Sequence, residues 1–298
     1  MNAHRLGVLT FAGVLLLTLV AVRAAGALGL PICILCWQPS VGARLQYQLQ
    51  GVSTYASTGG INVDITAVPA EGGTAVAPEV FDIDLYVDSA VNGRNDVVNS
   101  SAVTAIHANG AHAICYVDAG TWEDWRPDAS EYPSEVLGRQ NGWPGERWVD
   151  IRRIDVLGPI LSARAQKCKL AGFDAIEWDN VDGYQNHTGF PLTADDQLQF
   201  NAYLANLAHQ TGFSVALKND MDQLSKLKPY FDFAINEECF RYNECDYPPP
   251  GLPDWTASGK AVFNVEYRSL QCAQADAWGF GSILKDLALY DVPWTPCR

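Results

Sequence analysis

The 298-residue sequence is poor in basic residues: it has 20 Lys and Arg against 34 Asp and Glu, for a formal net charge of −14. Proteins bind a nucleic-acid backbone with a basic face, so this shortage argues against a nucleic-acid partner. Charged residues make up only 18% of the chain and hydrophobic residues 48%, which excludes intrinsic disorder as its general state. Such a chain is compatible with an extracellular enzyme, or with a cationic ligand that a negative cleft would concentrate.

Several catalytic motifs are absent as well. The five histidines form no H-E-x-x-H array, and the chain contains no G-x-S-x-G elbow, no P-loop and no Gly-rich nucleotide fingerprint. A metal site would have to rest on carboxylates alone, and the D-x-D triplet at 82–84 is too short to indicate one. We therefore expect no metal and no cofactor.

Residues 1–25 have the organisation of a secretory signal peptide, with a short basic start, an apolar run over 6–22 and small residues at 24–27. The alternative is an uncleaved anchor, but the run of about 17 residues falls short of the 20 or so that a membrane span needs. Either way we expect export, to a secreted, membrane-associated or wall-associated location. Residues 26–36 form a linker whose Cys33 and Cys36 we interpret as structural or processed rather than as a redox or zinc motif.

Export makes the eight cysteines candidates for disulfide bonds. Six of them lie in the body of the chain and allow many connectivities. Cys239 and Cys245 flank a short polar stretch, so we predict a local bridge between them. The remaining pairs, assumed by elimination, are Cys115–Cys168 and Cys272–Cys297.

From residue 80 onward, short apolar strands alternate with helical segments. A glycine separates helix from strand at positions 172, 212, 259 and 279, where it can take the left-handed conformation that ends a helix. Thr193 with Asp196 is a capping signature, and Asp155 can cap another helix. The predicted strands are 44–49, 80–87, 111–117, 174–178, 214–217, 231–235, 261–265 and 282–284. The predicted helices are 99–109, 156–170, 197–210 and 221–227.

This alternation predicts a mainly parallel sheet. Eight strands within residues 37–298 predict a single α/β domain, a (β/α)8 TIM barrel. A doubly wound open sheet is the alternative, but no G-x-G-x-x-G follows a strand. After the eighth strand, too few residues remain for a full final helix.

Polar residues follow seven successive predicted strands, where a barrel places its active site. Solvated loop residues are the alternative interpretation for any one of them. The candidates for substrate binding at these ends are Asp84, Tyr116, Asp118, Trp122, Glu177, Lys218, Asn219, Asn236, Asn264, Glu266 and Tyr267. Tryptophans also cluster in the loops at 122, 125, 143 and 148, where core packing and a glycan-binding cleft are the two alternatives.

Asp179 and Glu237 are the best catalytic pair, because each directly follows an apolar strand. Glycoside hydrolysis needs two facing carboxyl groups, one as nucleophile or base and one as general acid. Burial at such a position could raise the pKa of one carboxyl group, as a general acid requires. Glu177 lies on the same side of its strand as Asp179, so we interpret it as a deeper structural or substrate-orienting group.

The chain resembles glycoside hydrolase family 114, the endo-α-1,4-polygalactosaminidase family with a (β/α)8 barrel. The stretches that carry the resemblance are 115–128, 142–155, 172–184, 217–220, 236–240 and 262–267. It implies hydrolysis of α-1,4-linked galactosamine polymers, with Asp179 and Glu237 as the catalytic pair. Kinship with α-galactosidase barrels would make Asp179 the nucleophile and Glu237 the acid/base of a retaining enzyme.

The implied partner is a cationic or partly acetylated galactosamine polysaccharide, bound by a monomer. Its ammonium groups could pair with the carboxylates of Asp84, Asp118, Asp182, Glu177 and Glu266. Lys218 would pair with Asp179 or Glu177 and help to keep the nucleophile ionised. Two other functions stay open: an exo-acting α-galactosidase-like enzyme, and a non-catalytic glycan-binding barrel.

Overall fold

The computed structural model describes Cys33 and residues 35–247 and 249–298. The predicted signal segment at 1–25 and most of the predicted linker at 26–36 lie outside the described residues. None of the described helices is both long enough and apolar enough to cross a membrane.

The core of the fold is a sheet of eight parallel strands that curves into a barrel, in the order β1-β2-β3-β7-β8-β9-β10-β11. The strands are β1 (Leu45–Gln48), β2 (Val80–Asp84), β3 (His112–Asp118), β4 (Thr121–Glu123), β5 (Leu137–Gln140), β6 (Glu146–Val149), β7 (Ala175–Asp179), β8 (Ser214–Lys218), β9 (Phe233–Glu237), β10 (Val262–Glu266), β11 (Gly281–Leu284) and β12 (Thr295–Pro296). The predicted TIM barrel is confirmed. The barrel strands are buried almost throughout, as expected for parallel strands that are covered on both faces.

The barrel closes where β11 approaches β1. A Cβ atom on Gly281 would lie 2.2 Å from the backbone oxygen of Ala43, so this approach requires glycine. Side chains from the C-terminal segment span the same junction. The Trp294 indole donates to the Leu45 carbonyl at 2.8 Å, and Lys285 Nζ donates to Gln46 Oε1 at 3.0 Å.

Helices surround the sheet: α1 (Ser89–Asn92), α2 (Ser100–Ala108), α3 (Ile154–Ala171), α4 (Ala194–Thr211), α5 (Leu224–Leu227), α6 (Cys239–Tyr242), α7 (Leu252–Ala257) and α8 (Cys272–Ala277). Thr193 and Asp196 form the predicted capping box at α4. Asp155, however, is not the cap of α3. That helix begins one residue earlier, and Asp155 pairs with Arg153 from within its first turn. No helix follows β11 in the described residues; the short strand β12 pairs antiparallel with it instead.

The predicted elements do not include a small antiparallel sheet, in the order β4-β6-β5, inserted between β3 and α3. It projects from the end of β3 at which the predicted polar residues lie. Its strands are short and irregular, and the pairing of β5 with β6 shifts register between Leu137 and Gln140. Such strands carry little of the alternating pattern by which sequence reveals a strand.

Four disulfides cross-link the described residues: Cys33–Cys36, Cys115–Cys168, Cys239–Cys245 and Cys272–Cys297. The last three are the pairings adopted from the sequence. Cys115–Cys168 joins β3 to α3, Cys239–Cys245 closes the loop of α6, and Cys272–Cys297 ties the C-terminal segment to α8. Cys115–Cys168 and Cys272–Cys297 therefore join segments that are distant in the sequence, whereas Cys33–Cys36 and Cys239–Cys245 close short local loops.

The first described segment of the body packs at the N-terminal ends of the barrel strands. The Trp37 ring stacks on His112, the first residue of β3, with ring centroids 4.2 Å apart. Gln38 donates to Asp232, which directly precedes β9. Asp232 and Asp174 each accept hydrogen bonds from a histidine and from a strand backbone amide, which joins helices to strands at this end.

Candidate active site

A cavity of about 690 Å³ opens at the C-terminal ends of the barrel strands. This is the end at which barrel enzymes place their chemistry. The residues expected from the sequence that line it are Asp84, Tyr116, Asp179, Asp182, Lys218, Asn219, Glu237 and Tyr267. The fold therefore brings the two predicted catalytic carboxyl groups into one cavity.

Lys218, the last residue of β8, lies between these two carboxyl groups. Its Nζ is 2.9 Å from Asp179 Oδ1 and 3.2 Å from Glu237 Oε2. It also lies 3.1 Å from the Tyr47 hydroxyl and 3.5 Å from Glu177 Oε1. The Lys218 side chain is buried, whereas those of Asp179 and Glu237 are partly exposed to the cavity. One ammonium group thus bridges two carboxylates that a ligand can reach.

Further hydrogen bonds orient each carboxylate. The Tyr116 hydroxyl donates to Asp179 Oδ2 at 2.7 Å. The Tyr267 hydroxyl donates to Glu237 Oε1, and the Asn219 side chain accepts from the Glu237 backbone amide at 2.9 Å. Since every donor comes from a barrel strand or the residue after one, the pair is held on rigid elements.

Electrostatics keep Asp179 ionised. Burial opposes its charge, but the Lys218 ammonium and the hydrogen bonds from Tyr116 and Lys218 outweigh burial and lower the pKa of Asp179 below its usual value. Burial likewise opposes the charge of Lys218, and the carboxylates of Asp179 and Glu237 raise the pKa of Lys218 well above its usual range. An ionised carboxylate held in this way is suited to act as a nucleophile.

The backbone turns sharply after each of these strands. Asn180, Asn219 and Glu238, the residues that follow β7, β8 and β9, have φ values of 59°, 48° and 60°. Asparagine tolerates this left-handed conformation, whereas for glutamate it is strained. Gly120 packs so closely on the turn after β7 that its Cβ would lie 1.7 Å from the Asn180 oxygen. These turns leave the strand-end side chains directed into the cavity.

One wall of the cavity is an ion-pair network that the sequence did not reveal. Arg126 donates to both oxygens of Asp84 at 2.7 Å and also pairs with Glu123 of the antiparallel sheet. Asp84 is therefore already paired with a cation. Sequence reasoning missed Arg126, Glu123 and Glu146 because all three lie in or beside the unpredicted sheet, although they fall within stretches that carry the family resemblance.

Two carboxyl groups that line the cavity have no cationic partner among the described residues, Glu146 and Asp182. Burial raises the pKa of Glu146 to about 7 and that of Asp182 to about 6. Negative neighbours add to both shifts, so an incoming cation would favour the ionised form of each group.

Aromatic rings border the opening. Trp125 and Trp143 line the cavity and are 41% and 57% exposed, so their faces are free for a ligand. Trp148 and Trp178 are buried in the protein. Trp122 is partly buried, and its indole donates to the Ala129 carbonyl rather than facing the cavity. Trp125 and Trp143 therefore fit a glycan-binding cleft, whereas Trp148 and Trp178 fit core packing.

Five of the expected polar residues, and Trp122, do not line the cavity. Asn264 and Glu266 bond to each other, and Glu266 accepts from the Phe240 amide in α6. The Asn236 side chain caps the Cys239 amide. Asp118 accepts from Thr121 and Asn180 beneath the cavity wall, while Glu177 is fully buried.

One group of carboxylates in the described residues has the spacing of a metal site, Asp118, Glu123 and Glu146, whose ligand atoms lie within 4.8 Å of one another. Protein donors already engage each of them. Thr121 bonds Asp118, Arg126 bonds Glu123, and Asn141 bonds Glu146. A metal ion would have to displace these donors, so the group fits a structural role better than a metal centre.

Comparisons with known proteins identify the family and agree with the fold. The model of glycoside-hydrolase family GH114 matches residues 35–297. Ega3 of Aspergillus fumigatus, solved in complex with galactosamine, is 30% identical, with 86% of this chain and 95% of that chain covered and a TM-score of 0.67. The glycoside hydrolase domain of PelA from Pseudomonas aeruginosa is similar in fold at 12% identity, with 86% and 98% covered and a TM-score of 0.57. A search of curated proteins finds no match. The chain therefore belongs to glycoside-hydrolase family GH114 and is a glycoside hydrolase.

Proposed function

We propose that the protein is a retaining endo-α-1,4-polygalactosaminidase, with Asp179 as the nucleophile and Glu237 as the general acid/base. The observation that carries this is the bridging of both carboxyl groups by one ammonium group. Because Lys218 Nζ is 2.9 Å from Asp179 and 3.2 Å from Glu237, the two bonded oxygens are at most about 6 Å apart. That is close to the spacing of retaining enzymes, about 5 Å, and shorter than is usual for inverting ones.

The proposed reaction has two steps. In the first, an Asp179 oxygen forms a bond to the anomeric carbon while the glycosidic bond breaks, and Glu237 gives its proton to the departing oxygen. In the second, Glu237 takes a proton from water as the water oxygen attacks the same carbon and releases Asp179. Lys218 contacts both carboxyl groups, so it remains beside the negative charge as that charge moves from Asp179 to Glu237.

A cationic amino sugar is the substrate that the cavity supports best. Asp84, Glu123 and Glu238 are neutralised by arginines. Glu146 and Asp182 lack a cationic partner within the described residues, and a C2 ammonium group would supply one. The exposed rings of Trp125 and Trp143 offer faces on which sugars stack. Ega3, the 30% identical relative, was solved with galactosamine, which supports the same substrate class.

We also propose that the protein is exported. The signal-like segment at 1–25 and the four disulfides favour an oxidising compartment outside the cytosol.

The central test replaces each member of the catalytic pair with its amide. Asp179→Asn and Glu237→Gln should each lower the release of oligosaccharides from a galactosamine polymer by about 10⁴-fold or more. The control is Asp254→Asn, an exposed carboxylate of α7, which should retain full activity. Circular dichroism establishes that all three variants are folded, and normal turnover by either catalytic variant would refute the assignment.

The products separate the competing functions. Oligosaccharides of many lengths, seen by mass spectrometry, indicate endo cleavage. Release of single sugars indicates an exo-acting enzyme, and binding without shortening indicates a glycan-binding barrel. Proton NMR of the first reducing ends tests the mechanism, because retention produces the α anomer first and inversion the β anomer.

A further inference from the structure

Two acidic residues lie deeper in the barrel, below the catalytic pair. Asp82 of β2 and Glu177 of β7 come from strands on either side of β3, and both side chains are fully buried. Side chains from alternate strands share a layer in a TIM-barrel core, so these two meet at one level. No hydrogen bond within the described residues reaches any of their four oxygen atoms, and only the ion-pair contact of Lys218 Nζ with Glu177 Oε1 at 3.5 Å approaches them.

The two carboxyl groups are close enough to act on each other, since the charge of Glu177 raises the pKa of Asp82. If both were ionised, neither could donate to the other, and these buried oxygen atoms would stay without a donor. A proton on one of them supplies that donor. Leaving both ionised would also bury two negative charges side by side, which costs far more free energy than protonating one.

We propose that Asp82 and Glu177 form a proton-holding pair, in which Asp82 donates to Glu177 and Glu177 positions the Lys218 ammonium beneath Asp179 and Glu237. The positioning of Lys218 by Glu177 rests on their ion-pair contact, in which Lys218 Nζ lies 3.5 Å from Glu177 Oε1. Asp82 and Glu177 are positioning residues, since neither lines the cavity and both act through Lys218.

The charges that face the pair agree with this arrangement. Lys218 is the ammonium group among them; the acidic groups are Asp179, Glu237 and the buried Tyr47 phenol. If all four carboxyl groups were ionised, one ammonium would face four negative charges. A proton on Asp82 removes one of these charges without weakening the contact of Glu177 with Lys218.

The pKa values of Asp82 and Glu177 are both raised, which also favours a proton on the pair. Burial and the charge of Glu177 raise the pKa of Asp82 well above its usual value. Burial raises the pKa of Glu177 to about 7, against the opposing effect of Lys218. The pair should therefore hold one proton above about pH 7 and two below it, with the titration belonging to the pair as a unit.

Infrared difference spectroscopy of the full-length protein tests the shared proton without substrate. Above pH 7 the wild type should absorb as a buried protonated carboxyl group, and Asp82→Asn should lose this band. Across pH 7 the wild type should gain protonated carboxyl absorption from Glu177 in addition to that of Glu146, which also has a pKa of about 7, and Glu177→Gln should show a gain smaller by one carboxyl group. Asp155→Asn, an exposed carboxylate, is the control and should leave both features unchanged. An Asp82→Asn spectrum identical to the wild type above pH 7 would overturn the proposal.

The pH dependence of kcat/KM tests the link to Lys218, and this readout alone rests on the proposed catalytic roles. Glu177→Gln removes a negative charge beside Lys218, Asp179 and Glu237. Loss of a proton from this group of side chains then becomes easier, so the basic limb of kcat/KM should move to lower pH by about 1 unit. A role in packing alone would lower stability and leave the limb in place, and that result would overturn the positioning role. An inactive wild type would contradict the proposed function, while the infrared result would still decide the shared proton. If Glu177→Gln does not fold, Asp82→Asn carries the infrared test by itself.

Discussion

At the scale of single residues, Lys218 determines the character of the site. It is a buried cation among acidic groups, and its contacts with Asp179 and Glu237 make the two carboxylates a unit rather than two independent groups. From the sequence, this lysine among acidic strand ends was predicted to pair with Asp179 or Glu177. The structure shows that it contacts both, and Glu237 as well.

Tyr116 helps Lys218 to keep Asp179 ionised, and Tyr116→Phe removes that hydrogen bond. A hydrogen bond to a charged group stabilises it by about 1.5–3 kcal/mol, so the loss of this bond should raise the pKa of Asp179 by about 1–2 units. Because the proposed mechanism requires ionised Asp179, the acid limb of kcat/KM should move to higher pH by the same amount. Tyr230→Phe is the matched control, since the Tyr230 hydroxyl makes no hydrogen bond within the described residues. An unchanged acid limb would show that Tyr116 does not act on Asp179.

The sequence located Asp179, Lys218 and Glu237 because each ends a clear apolar strand. It could not separate them from Asn236, Asn264 and Glu266, which end strands equally well. Parallel strands are buried on both faces, so their apolar runs do not show which alternate residues face the barrel interior. Asn264 and Glu266 fall on the other face and bond toward α6.

At the scale of elements, the strand-to-loop turns and the barrel closure position the site. The glycines expected after α3 and α4, Gly172 and Gly212, are in the left-handed conformation and end these helices. The antiparallel sheet β4-β6-β5 had no such signal, because its strands are three or four residues long and depend on pairing with each other. The sequence therefore could not predict the cavity wall that Arg126 and Glu123 form.

The closure of the barrel makes a prediction about stability. Gly281→Ala would place a methyl group 2.2 Å from the Ala43 oxygen and 2.9 Å from the Phe263 ring, both parts of the packed core. We expect a loss of about 2 kcal/mol in the free energy of unfolding, measured by chemical denaturation. Gly183→Ala is the control, since its Cβ would meet the Trp148 ring at an ordinary 3.4 Å. Equal stability of the two variants would argue against a tight junction.

At the scale of the whole molecule, the excess of acidic residues acquires a location. Part of the −14 charge lies at the cavity, and the arginines of its walls neutralise only some of it. Composition alone predicted an extracellular enzyme or a cationic ligand. It could not show whether the acidic residues line a cleft or are spread evenly over the surface.

Salt dependence tests this location. Salt screens exposed charges, with a Debye length of about 10 Å at 0.1 M and about 3 Å at 1 M. KM for a deacetylated galactosamine polymer should therefore rise several-fold with added NaCl, while KM for the fully acetylated polymer should change little. In the double variant Glu146→Gln/Asp182→Asn the rise should be smaller, because the two cavity carboxylates without a cationic partner are gone. An equal salt response in wild type and double variant would place the relevant charge elsewhere.

The packing of Trp37 on His112 and of Gln38 on Asp232 fixes where the chain enters the barrel, at the end of the strands opposite to the cavity. A solid support or a neighbouring domain attached to the chain ahead of Trp37 would hold the enzyme at the end of the barrel opposite to the cavity. The open face would then point away from the attachment point. A long or insoluble polymer could approach that face without meeting the tether, so immobilisation through this end should leave turnover intact.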